Sequence, residues 1–160
     1  MKLKRLCLLS GAPGSGKSTW AHEYIKNHPE IVYISRDEIR KEMLGENDRY
    51  FAKEKAVFRE YARRAKEALK DESKIVILDA THINFASVRK IITALNWEEE
   101  FSMICFNISL ATLLKRNAQR EGFARVPDKA IKDMLSRQDN PFEYCNDIYI
   151  INEKGEVSHE

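Results

Sequence analysis

The stretch Gly11-Ala12-Pro13-Gly14-Ser15-Gly16-Lys17-Ser18-Thr19 restricts this chain more than any other part of it. It fits G-x-x-x-x-G-K-S/T, a loop that wraps a polyphosphate. Without a Cβ in the way, the backbone can approach phosphate closely, and its N–H groups form an anion nest at the start of a helix. Both flanks suit that geometry. Arg5–Leu9 reads as a buried strand and Ser18 to Asn27 as a helix. Lys17 is placed to reach the β- and γ-phosphates, and the Ser18 hydroxyl to bind Mg²⁺.

Further strand-type apolar runs fall at Ile31–Ile34, Lys74–Leu78, Phe101–Ile108 and Ile148–Ile151, separated by helical patterns. The β-α alternation predicts an α/β fold, a mainly parallel sheet with helices on both faces. A chain of 160 residues suits one domain, here 1–152, with an acidic tail 153–160 expected to fray. No apolar run approaches the roughly 20 residues of a membrane span. Cys7, Cys105 and Cys145 are far apart, which points to reduced thiols and a cytoplasmic setting. A net charge of +2 is too small to indicate nucleic acid by itself.

Ligands of parallel sheets bind beyond the carboxyl ends of the strands, so the residues after each strand are the ones to weigh. After the second strand, Ser35 and Glu38 have the spacing of a capping box and start a helix at Arg36. Asp37 then lies in the first turn, either complementing the helix dipole or serving as a catalytic carboxylate, with Arg40 on the same face. After the third strand, Asp79 takes the place of a carboxylate that supports Mg²⁺. Asn84 reads both as the N-cap of a helix Phe85–Leu95 and as a residue facing the acceptor, whereas His82 reads as a packing residue.

After the fourth strand, a helix to about Gln119 and another from Asp128 to about Gln138 flank a short segment holding Arg120, Gly122 and Arg125. With Arg116, this makes a lid over about 116–130 that could bring arginines onto a transferring phosphate. On the helical stretch Phe51–Lys70, Arg59, Arg63, Lys66 and Lys70 form a basic stripe, either a solvated face or a track for a nucleic-acid backbone.

Together these residues suit phosphoryl transfer. Lys17 and the loop amides hold the donor phosphates, and Ser18 with Asp79 holds Mg²⁺. Asp37 accepts the proton of a hydroxyl, Arg40 holds an anionic group beside it, and Arg120 neutralises charge on the transferred group. A kinase of a small phosphorylated metabolite, a nucleoside or an aminoacylated tRNA would share this set. So, with less to support it, would a non-catalytic NTP-binding switch.

With these motifs assembled, the chain resembles the 5′-kinase domain of phage-type polynucleotide kinases, within the P-loop kinase superfamily. The resemblance runs from about Lys4 to Gln138. It rests on Gly11–Trp20, Ser35–Arg40 (SRDEIR), Leu78–Asn84 (LDATHIN) and Lys115–Pro127 (KRNAQREGFARVP). It implies five parallel strands in the order 2-3-1-4-5. It also implies transfer of the γ-phosphate of ATP, or another NTP, to a 5′-hydroxyl end of DNA or RNA. The roles it implies are Lys17 and Ser18 at the loop, Asp37 as general base, Arg40 on the phosphate 3′ to the accepting hydroxyl, and Arg120 on the donor phosphates.

Overall fold

The computed structural model describes the backbone of residues 1–160 and every side chain but that of Phe123. Its strands are β1 (Leu6–Ser10), β2 (Ile31–Ser35), β3 (Ile75–Asp79), β4 (Ser102–Asn107), β5 (Asp147–Asn152) and β6 (Val157–His159). The helices are α1 (Lys17–Ile25), α2 (Arg36–Met43), α3 (Glu54–Leu69), α4 (Phe85–Leu95), α5 (Leu110–Ala118) and α6 (Asp128–Ser136). They make one sheet in the order β2-β3-β1-β4-β5-β6. The order of the first five strands is the one the family resemblance implies, and all their pairings are parallel.

Period-two alternation sends β1 side chains to both faces of the sheet. Leu6 and Leu8 join Val57, Tyr61 and Ala65 of α3 and Val88, Ile91 and Leu95 of α4. Cys7 and Leu9 join Ala21 of α1, Leu113 of α5 and Ile131 of α6 on the other face. A sheet covered on both sides accounts for the near-continuous apolar strands. All three cysteines are free thiols. Among the described residues, no helix is long and apolar enough to cross a membrane.

The C-terminal segment departs from expectation. Instead of fraying, residues 153–160 turn back and add an antiparallel edge strand, with Ile151 paired to Val157 and Tyr149 to His159. Asn152 Oδ1 accepts the N–H groups of Lys154 and Glu156, and Gly155 takes a left-handed φ of 78°. His159 stacks on Tyr149 at 4.0 Å and meets Asp147 Oδ1 at 2.7 Å. The polar composition hid a strand only three residues long, though Asn152-Glu153-Lys154-Gly155 is itself a turn signal.

Register is what places the site. Leu9 is level with Asp79, and Asp79 with Ser35. The carboxyl ends of β1, β3 and β2 therefore open side by side. Three loops that are far apart in sequence emerge at one rim, where the sheet's crossovers diverge and leave a crevice.

Candidate active site

The loop after β1 is built from backbone. Gly14 and Gly16 hold φ values of 89° and 93°, in the left-handed region that penalises a Cβ. Gly16 is also the N-cap residue of α1, so the loop ends on free helix N–H groups. Lys17 is buried, with Nζ donating to the carbonyls of Gly11 at 2.8 Å and Ala12 at 3.3 Å. Burial lowers its pKa, although the charge of Asp79 pulls the other way. The Ser15 hydroxyl is buried with no partner among the described residues. A cationic, donor-rich concavity with an unsatisfied hydroxyl fits a polyphosphate.

The loop after β3 is fastened to this cradle. Ser18 Oγ donates to Asp79 Oδ2 at 2.8 Å, and the Tyr33 hydroxyl of β2 donates to the same oxygen. Burial, then the Asp79 charge, keeps the Tyr33 phenol protonated. The Gly11 N–H donates to Thr81 O, and Ser10 Oγ to His82 O. His82 takes a positive φ of 39° and is buried. Its Nδ1 lies 2.8 Å from Leu9 O, so this nitrogen carries the proton. Burial lowers the His82 pKa to about 4, leaving a neutral ring as a structural staple.

The loop and helix start after β2 are built from side chains. The Ser35 hydroxyl caps α2 by accepting Glu38 N–H, while the Glu38 carboxylate turns toward His22 at 3.6 Å, so only half of the expected capping box forms. Asp37 in the first turn is 43 % exposed, and its Oδ1 accepts from the Tyr50 hydroxyl at 2.6 Å and Arg40 Nη1 at 2.9 Å. Among the described residues, Oδ2 has no protein hydrogen bond and is left to accept another proton.

Arg40 differs from its expected role. Its Nε and Nη2 hold Glu54 in a two-pronged pair at 2.6 and 3.0 Å, and Nη1 also donates to Tyr50. Arg36 Nη2 reaches the same carboxylate at 3.0 Å, and its Nε is buried without a partner among the described residues. The guanidinium expected to await an anion therefore already grips one, because the first turn of α3 lies against α2. Burial opposes the Arg40 charge, but Glu54 and Asp37 outweigh it and raise its pKa. The same contacts lower the Glu54 pKa against burial.

Lys17, Ser18, Asp37, Arg40, Asp79 and Arg120 line one cavity of about 270 Å³, together with Glu54 and Tyr50. A second hollow, about 430 Å³, lies across the loop and is lined by Gly14, Thr19, Trp20, Phe106, Arg116 and Arg120 among others. Arg120 borders both. Arg116 Nη1 donates to Gly14 O at 3.1 Å and braces the loop. The lid segment folds as expected between α5 and α6, with a 3-10 turn at Gly122–Ala124. Ala124, Val126 and Met134 close over the first cavity, whereas Arg125 is exposed and lines neither.

Of the two readings of Asn84, the structure shows the cap. Asn84 caps α4 in a reciprocal box with Ser87, accepting Ser87 N–H at 2.9 Å, and lines neither cavity. Sequence reasoning missed Tyr33, Tyr50, Glu54 and Asn117. Asn117 is fully buried and ties the lid by donating to Val126 O and accepting Val126 N–H. It sits inside the Lys115–Pro127 motif, so position alone marked it. The other three carried no local signal, because their partners lie 10 to 46 residues away.

Residues 6–141 match the AAA domain family. An L-seryl-tRNA(Sec) kinase of Methanococcus maripaludis is 26% identical over 145 residues, covering 85% of this chain and 53% of that protein. The chain thus spans about half the length of this relative. A structure of the Pnkp1/Rnl/Hen1 RNA repair complex superposes with a TM-score of 0.70 at 26% identity, covering 86% of this chain and 44% of that one. A fungal RNA kinase shares the fold at a TM-score of 0.61 and 15% identity, over 92% of this chain and 37% of that one. With the loop, the strand order and the lid already in place, the chain belongs to the AAA domain family, as a P-loop kinase domain similar to that of the polynucleotide kinases.

Proposed function

We propose that this kinase domain transfers the γ-phosphate of ATP, or another NTP, to the 5′-hydroxyl end of a nucleic acid. One observation carries the reading. A carboxylate with one anchored and one free oxygen, Asp37, shares a cavity with Lys17 and Arg120 and with two guanidiniums paired to Glu54, of which Arg36 keeps a buried Nε with no partner among the described residues. A neutral sugar hydroxyl would not need the arginines. A hydroxyl with a phosphate next to it would.

Asp37 takes the proton of the accepting hydroxyl as that oxygen bonds to the γ-phosphorus, and the P–O bond to the leaving nucleoside diphosphate breaks. Tyr50 and Arg40 hold the carboxylate by its other oxygen, so its orientation is set before substrate arrives. Lys17, the loop amides and Arg120 meet charge on the donor phosphates. Ser18 and Asp79 are the residues that would hold Mg²⁺, which is usually bound by one or two side chains plus substrate phosphates and water. Bound there, it would neutralise phosphate charge. Phe51 lines the acceptor cavity with half its surface exposed and offers a face for a base to stack on.

A second reading, transfer to a hydroxyl carried on aminoacylated tRNA, is favoured by the archaeal relative. A labelled-ATP assay over 5′-OH RNA, 5′-OH DNA, nucleoside 3′-monophosphates, unphosphorylated nucleosides, seryl-tRNA and a sugar panel separates the two. Transfer to 5′-OH ends and to 3′-monophosphates, but not to unphosphorylated nucleosides, is the expected result. Transfer confined to seryl-tRNA or to sugars would end the leading reading.

A further inference from the structure

Beyond the acceptor cavity, α3 and α4 form an open groove of about 560 Å³. It is lined by Lys55, Phe58, Arg59, Arg63, Lys66 and Lys90, with two alanines and, among the described residues, no acidic side chain. The basic stripe on α3 therefore does not simply face bulk water, since Lys90 of α4 stands across from it. Among the described residues, Lys55, Arg59, Lys66 and Lys90 make no ion pair, while Arg63 is shared with Glu60. A concave run of unneutralised cations keeps an electrostatic cost that an anion would relieve.

The groove lies beside the active-site cavity, across the Phe58 ring. Lys55 follows directly after Glu54, which lines that cavity. The Phe58 ring has the Arg36 guanidinium at 5.4 Å and the Lys90 ammonium at 4.2 Å. Arg36 belongs to the cavity and Lys90 to the groove, so one aromatic ring separates them. Along α3, Lys55, Arg59 and Arg63 recur every four residues, about 6 Å apart along the axis, and Lys55 to Lys66 spans about 17 Å. An evenly spaced row of cations starting at a catalytic cavity suits the backbone of one extended nucleic-acid strand.

We propose that this groove holds the phosphodiester backbone of the acceptor strand, the single-stranded segment running 3′ from the accepting nucleotide. The inference rests on the polynucleotide reading of the site. It makes the enzyme sensitive to acceptor length, with the groove adding affinity and the cavity performing transfer.

The test compares the whole chain with a variant carrying Arg59→Gln, Lys66→Gln and Lys90→Gln, and with a control carrying Lys2→Gln, Lys4→Gln and Lys26→Gln. All six positions are exposed, and circular dichroism checks that each protein is folded. Transfer to a 5′-OH dinucleotide and a 5′-OH 12-mer is measured beside anisotropy binding of the 12-mer over a salt series. The groove variant should raise the 12-mer KM about tenfold while leaving the dinucleotide and ATP KM values unchanged. Loss of three single-strand contacts should reduce the log–log salt slope by about 2. The control should match wild type. Unchanged 12-mer KM and slope, with transfer intact, overturn the groove and spare the reaction. Groove-dependent binding without transfer to any 5′-OH end supports the groove and overturns the reaction. Neither binding nor transfer overturns both, and equal groove-dependent binding of blunt duplex overturns the single-strand assignment.

Discussion

The two sides of the active-site crevice are made from different materials. The donor side is backbone, with loop amides, the left-handed Gly14 and Gly16, and carbonyls stapled by Ser10 and His82. The acceptor side is a side-chain network, in which Asp37, Arg40, Tyr50 and Glu54 hold one another. Backbone recognises what never varies, a chain of phosphates. On the proposed reading, side chains select what varies, a hydroxyl and its neighbouring group. The donor side should therefore fail through folding, and the acceptor side through rate and selectivity.

The largest effect should come from the acceptor side. Asp37→Ala should cost about 10²- to 10⁴-fold in kcat, the usual worth of a positioned general base. Stabilisation by ADP in thermal melts should persist, because the loop is untouched. Strong residual transfer would remove Asp37 as the base.

The donor side predicts a pH effect on stability. The His82 pKa falls from 6.5 to about 4 in the folded state, so the folded chain resists protonation that the unfolded chain accepts. Its contribution is complete above pH 6.5 and is lost as pH falls toward 4, by about 3 kcal/mol in all. Urea unfolding at pH 7 and pH 5 should show the slope. His82→Asn, which tolerates the left-handed backbone, should flatten it; an equal slope in both proteins would place the titration elsewhere.

Glu54→Gln probes the network between these extremes. Weakening a charge-assisted pair on Arg40 should lower stability by about 1–3 kcal/mol. It should also lower KM for a phosphorylated acceptor, since Arg36 and Arg40 would lose a competing carboxylate. A raised KM would mean that Glu54 supports acceptor binding instead of occupying its place. At the small end, Arg125→Ala should leave kcat within about twofold of wild type, as expected of an exposed side chain that lines neither cavity. Under the same assay Arg120→Ala should lose far more, since that residue borders both cavities.

Much of the donor side was legible in the sequence. Gly11–Thr19 carries its whole geometry within one local motif, and the ends of β1 and β3 followed from apolar runs that stop at Ser10 and Asp79. The helix Phe85–Leu95 and its Asn84 cap were readable for the same reason: capping is local. The acceptor side was half legible. Asp37 and Arg40 share one helical turn, but Tyr50 and Glu54 reach them only because α2 and α3 pack together. The strand at Val157–His159 escaped because three residues are too few to show a period.

What the sequence determined alone was a phosphate cradle on an α/β sheet, with a carboxylate and arginines near it, because each depends on residues a few positions apart. The tertiary structure decided what those residues hold. Parallel register brought Asp79 level with Ser35, so the separate loops share one rim. The packing of α2 against α3 gave Arg40 a carboxylate partner, and α4 beside α3 turned a basic stripe into a groove. Each of these depends on chain segments meeting across the fold, and contacts over such separations leave no mark in local residue order.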